Sequence, residues 1–140
     1  MKKLTLAAGL MTVAIAAKAE LPPDSGSDWR AVQWSPNQVN GLYVDANSIA
    51  LRNDGRVSYW ERRTVTAPEG KVAVIEYQRV GACGGDSTWI QASRLYDKAG
   101  AQVGSRSETP KVAVAFSREP DEQAVLGVAC SLLKARPVAG

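Results

Sequence analysis

Four arginines, Arg52, Arg56, Arg62 and Arg63, are concentrated in one short stretch with Tyr59 and Trp60 among them. Guanidinium forks recognise carboxylate, sulfate and phosphate groups, and aromatic rings add rigid apolar area, so the combination is common in binding surfaces. Arg52, Arg56, Tyr59, Arg62 and Arg63 are therefore the candidate binding surface. The competing reading places Trp60 in the core and makes the arginines the wet face of an edge strand. Glu61 and Glu76 lie on neighbouring predicted strands. They could form a carboxylate pair of the kind that hydrolyses glycosides, or be solvated or ion-paired with Arg62, Arg63 or Arg79.

The rest of the catalytic repertoire is thin. The chain contains no histidine, which removes the usual general base, the triad orienter and the commonest metal ligand. There is no G-x-S-x-G nucleophile turn, no Gly-rich phosphate loop and no calcium-loop pattern. No catalytic, cofactor-binding or metal-binding residue is assigned, and a non-enzymatic role is expected.

The two cysteines, Cys83 and Cys130, must be read with the N-terminus. Met1-Lys2-Lys3 is a charged start, and Leu4 to Ala17 is an apolar run too short for a membrane span. Ala17-Lys18-Ala19 is a small-x-small cleavage site. Residues 1–19 read as a secretory signal, so the expected destination is the periplasm, the outer surface or the medium. In an exported chain two cysteines and no histidine favour a disulfide over zinc, with two buried free thiols as the alternative. The leader also carries Lys2, Lys3 and Lys18, three of the 17 basic residues, leaving 14 against 14 acidic residues in the mature chain. Its net charge is zero, so the composition gives no support for a nucleic-acid partner. No second apolar run reaches spanning length after cleavage. A protein or an acidic glycan remains as the partner class, and a homodimer is compatible with the chain.

About 121 mature residues suit one domain with one core. Residues 20–27 are rich in Pro, Gly, Ser and Asp and read as a disordered lead-in, and the domain proper spans 28–136. Trp29 to Trp34 alternates as a first strand, and Gly41 to Asp45 is a second. Asp45-Ala-Asn-Ser48 favours a turn. Asn53-Asp54-Gly55 is a hairpin signal, followed by strands over Arg56–Val65 and Lys71–Val80. Ser87 to Tyr96 alternates Thr88, Ile90 and Ala92 against Trp89, Gln91 and Ser93. Asp97–Gly100 turns the chain into Ala101–Ser107, and Val112–Phe116 is one more short strand. Pro120 to Lys134 predicts a helix: proline suits its first position, Asp121 and Glu122 its positive end, and Lys134 its negative end. Val125, Val128, Ala129 and Leu132 are the expected packing face, and Gly127 suggests close approach to another surface. The fold class is α+β: a single antiparallel sheet of about six strands in a meander, with a C-terminal helix on one face and a Cys83–Cys130 disulfide.

Trp29, the stretch Gly41-Leu-Tyr-Val-Asp45-Ala-Asn-Ser-Ile49, the Asn53-Asp-Gly55 turn before a Trp60-bearing strand, the Tyr96-Asp-Lys-Ala-Gly100 hairpin and the two cysteines together resemble the surface-adhesin E-like family of exported bacterial proteins. The resemblance spans nearly the whole mature chain. It implies an antiparallel sheet of about six strands with a disulfide-held C-terminal helix. It also implies a binding role toward host extracellular-matrix or serum proteins. The alternatives are a periplasmic structural or accessory domain and, last, a carboxylate-based hydrolase.

Overall fold

A computed structural model of the chain describes residues 26–32, 41–65, 72–107 and 111–136. The expected leader, nearly all of the lead-in, and Trp34 lie outside the described residues. Among the described residues eight strands form one antiparallel sheet, six of them in the order β1-β2-β4-β5-β6-β7, with β3 beside β4 and β8 beside β6. They are β1 Trp29–Ala31, β2 Leu42–Asp45, β3 Ala50–Leu51, β4 Val57–Thr64, β5 Val74–Gly81, β6 Ser87–Tyr96, β7 Gln102–Ser107 and β8 Val114–Ala115. The α-helix α1 runs from Pro120 to Lys134. The α+β meander expected from turn spacing is the architecture observed, with the expected Val112–Phe116 strand shortened to β8 and a two-residue β3 added after the Asp45–Ser48 turn.

Those two strands are local consequences of turn chemistry. β2 and β3 pair in line along β4, separated by a 3₁₀ turn at Ala46–Ser48. The Asp45 carboxylate accepts from the backbone N–H of Asn47 at 3.0 Å and of Asp28 at 2.8 Å, satisfying donors that the turn leaves open. The Ser48 hydroxyl donates to the Asp45 carbonyl and accepts from the Trp60 N–H, each at 2.8 Å. One interrupted strand is thus stitched to β4 across its break. β8 pairs the start of β6 and β7 pairs its end, so both short additions share a longer strand.

The register decides which side chains meet. Along β4, Val57, Tyr59, Glu61 and Arg63 point to the helix side, and Ser58, Trp60 and Arg62 to the other, following the two-residue period of a strand. β6 departs from plain alternation. Gln78 pairs Ala92 while Arg79 pairs Ile90, leaving Gln91 as the extra residue of a β-bulge. Ala92 therefore shares a face with Trp89, contrary to the simple alternation of the sequence.

The core lies between sheet and helix. Leu42, Val44, Ile49, Val57 and Tyr59 meet Val125, Leu126 and Ala129, with Val32 and Phe116 at the margins. Spacings of three and four place Glu122, Val125, Leu126 and Ala129 on one helix stripe. This corrects the expected face: Leu126 is buried, and Val128 and Leu132 are only partly so. Cys83 and Cys130 are bonded across a sequence separation of 47, and closing a loop that long stabilises the fold by about 4 kcal/mol in the chain-entropy description.

Gly127 is likewise corrected, because a Cβ built there meets nothing within 4 Å. It faces outward in mid-helix and makes no close approach. Gly127→Ala should raise the unfolding free energy by up to about 1 kcal/mol, read from chemical denaturation, since only the helix penalty of glycine is removed.

Candidate binding surface

The arginine cluster expected as one surface is divided by the strand period. Tyr59 is fully buried in the core, and its hydroxyl has no hydrogen-bond partner. Burial, with Glu61 and Glu122 nearby, holds that phenol well above its ordinary pKa. Arg62 is 3% exposed and lies on the opposite face. Arg63 points toward the helix, where it meets Glu122 at 2.7 Å. β4 is an interior strand, so the edge-strand reading fails as well. Arg52 and Arg56 alone keep an accessible, solvent-facing position.

On the helix face, Arg79 and Arg63 meet four carboxylates. Arg79 Nε stands 3.2 Å from Glu61 and 3.1 Å from Glu122, and its Nη1 stands 3.1 Å from Glu119. Arg63 reaches Glu61, Asp121 and Glu122. Burial works against the Arg79 charge, but Glu61, Glu122 and Glu119 outweigh it and hold the guanidinium above its ordinary range. Glu122 responds in the other direction. Burial first, then the charge and hydrogen bond of Glu61, push its carboxyl up to about 9 against the pull of Arg79 and Arg63. A cleft of about 290 Å³ opens beside this cluster, lined in part by Arg63, Tyr77, Arg79 and Glu119.

The other face of the sheet carries no covering element among the described residues. It is closed by a ladder of rings and charges. Arg62 lies 4.1 Å from the centre of the Trp29 ring and pairs with Glu76 at 3.0 Å. Glu76 also pairs with Arg94 at 2.8 Å, and Arg94 lies 3.8 Å over Trp60. Trp60 is half-buried against this ladder and takes no part in the helix-side core. Farther along, Arg52, Arg56 and Lys111 surround the Trp89 ring at 5.9, 5.3 and 5.1 Å. Lys111 and Trp89 escaped the sequence reading because neither is near the arginine stretch in the chain; only the meander brings them beside it.

Glu61 and Glu76 do not form a hydrolytic pair. Glu61 faces Tyr77 across the β4–β5 pairing, so the neighbouring Glu76 projects from the opposite side of the sheet. Each is consumed in its own ion pairs. Ser131-Leu-Leu-Lys134 has an S-x-x-K spacing that the sequence reading passed over, but both polar residues are exposed at the helix end and no hydrogen bond joins them. Among the described residues no group of three or more His, Cys, Asp or Glu is arranged to hold a metal, and no helix is long and apolar enough to cross a membrane.

A sheet with one face under a disulfide-tethered helix and the other left as an arginine–tryptophan ladder defines a small α+β domain with one open face. Solved structures share that fold. Protein E of Haemophilus influenzae is similar in two solved structures, at TM-scores of 0.54 and 0.53 and identities of 16% and 15%. The matches cover 79% and 84% of this chain and 93% and 98% of the other. No family model and no curated protein matches the sequence. The likeness at this identity is one of fold.

Two outcomes follow from the buried charges. Arg62→Ala leaves Glu76 buried with half of its counter-charge and should cost about 3–5 kcal/mol in denaturant unfolding, behaving as a stability variant and not as a surface one. The raised Glu122 pKa sets a pH dependence. Between about 4.5 and 9 the folded state holds a proton that the unfolded chain has released, so stability should fall as pH rises through that window. The slope is at most about 1.4 kcal/mol per pH unit. Glu122→Gln, which keeps the shape without the titration, should flatten the melting temperature measured from pH 5 to pH 9.

Proposed function

We propose that this chain is an exported binding protein that acts through the open face of its sheet and turns over no substrate. The observation that carries the reading is the set of Arg52, Arg56, Arg94 and Lys111 over tryptophan rings on a face with no covering element among the described residues. A sheet folded only for its own stability has no need to keep such a face free. The fold shared with protein E of Haemophilus influenzae and the sequence resemblance to exported adhesins support a macromolecular partner, with host matrix or serum proteins as the first class. The Cys83–Cys130 bond suits an oxidising, exported compartment.

The test is capture of the purified protein on immobilised matrix and serum proteins at low and physiological salt. Capture that weakens with salt is expected, and Arg52→Ala/Arg56→Ala should reduce it while the melting temperature stays within about 2 °C of the parent, since both pair with the exposed Asp54 and neither neutralises a buried charge. No capture at any salt would move the assignment to a periplasmic structural or accessory domain.

A further inference from the structure

The sheet sorts its charges by face. Toward the helix the charges balance: Arg63 and Arg79, with Arg118 in the same cleft and Arg106 in register on the same side, stand against Glu61, Glu119, Asp121 and Glu122. On the open face five cations each lie over a tryptophan, and Asp54 and Glu76 stand beside them. A chain whose mature net charge is zero thus presents one electropositive side, which whole-chain composition conceals.

The cations differ in availability. Arg62 is spent on Trp29 and Glu76. Arg52, Arg56 and Lys111 converge on Trp89 instead, with Asp54 at 3.5 Å from Arg52 and 3.2 Å from Arg56. Among the described residues no carboxylate lies in ion-pair reach of Lys111. Arg52 is steadied by the side-chain oxygen of Gln91, the bulged residue, at 3.3 Å, and Arg56 by the turn carboxylate of Asp54. Three like charges are gathered in advance beside the start of β6, Arg52 and Arg56 from the β3–β4 turn and Lys111 from the segment before β8, held by a ring face and one carboxylate. Arg94, partly exposed, lies five positions along the same strand from Trp89, roughly 15 Å away at the strand rise.

We propose that Arg52, Arg56 and Lys111 around Trp89, continued by Arg94, form a binding track for the sulfate groups of an acidic glycan. The proposal rests on the open-face reading above and names its ligand chemistry. Sulfates repeated along a linear chain match a cation cluster at Trp89 followed by Arg94 farther along β6. A protein partner would seek an apolar anchor. Of the exposed large apolar side chains among the described residues, Leu51 pairs with Val57 and so points to the helix side, and Val103 and Val112 are single valines, a residue type under-represented among interface hot spots. Nucleic acid binding as single strands would use free rings for base stacking. Trp89 is nine-tenths buried and Trp60 lies under a guanidinium.

The experiment titrates the purified protein with a heparin-derived oligosaccharide at several salt concentrations, beside Arg52→Ala/Lys111→Ala, the control Lys98→Ala on the far hairpin, and Asp54→Asn. Binding should weaken with salt, the double variant should lose about tenfold in affinity, and the control should stay within about twofold. Asp54→Asn keeps an oxygen to cap the turn while removing the competing charge, so it should bind several-fold more tightly and serves if the double variant folds poorly. Equal losses in the control and the double variant, or no binding at low salt, would overturn the track. Tighter binding of a charge-matched oligonucleotide or polyglutamate would overturn the glycan as its occupant. Failure here with matrix capture intact removes only this inference; loss of both removes the open-face reading.

Discussion

The rest of the structure depends on the buried guanidinium of Arg79. It sits where β5 meets the first turn of α1 and binds Glu61 from the sheet and Glu119 and Glu122 from the helix side. An arginine there is costly to desolvate, and only the surrounding carboxylates make its burial tolerable. Those carboxylates are in turn held inside by Arg79 and Arg63. The helix is therefore anchored at its start by charge and at Cys130 by a covalent bond, with Val125, Leu126 and Ala129 packed between the two anchors. A purely apolar contact could let the helix slide along the sheet. Directional ion pairs at one end and a disulfide at the other fix both its position and its rotation.

Fixing the helix this way shapes what the second face can be. Charge on the helix side is arranged around Arg79, so the alternation of strand residues sends the remaining arginines of β4 and β6 outward. Arg62 and Arg94 then share Glu76 and lie over Trp29 and Trp60. The rings shield the ladder without another layer of structure. Stability of the open face comes from within the face itself.

The elements of the fold were legible in the sequence because their causes are local. Pro120 and Lys134 bound the helix, Asn53-Asp54-Gly55 made a turn whose glycine has φ +85°, and Asp97 capped the next loop by accepting from Ala99 and Ala101. The disulfide followed from the pairing of two cysteines with an expected export signal. The candidate site was legible only in its residue types. Arg52 and Arg56 remain accessible, whereas Tyr59, Arg62 and Arg63 answer to partners far along the chain, and no local pattern states whether an arginine will be solvated or paired.

One signal was present and carried a different meaning at first sight. Asp121 and Glu122 suit a helix start, and the dipole accounts for them without further structure. Yet Glu122 precedes Val125 and Leu126 by three and four residues, so it lies on the stripe that must face the core. A carboxylate on a buried stripe demands a buried cation, and the interior strand positions offer Arg63 and Arg79 as candidates. The β-bulge hides the corresponding clue on β6: Gln91 breaks the alternation that would otherwise have placed Trp89 and Arg94 on opposite faces of the sheet. Once that single extra residue is admitted, Trp89, Ala92 and Arg94 fall on one side, and the cations that surround or continue from Trp89 become neighbours. The open face is thus written in the sequence as a register, readable only after the pairing of strands is known.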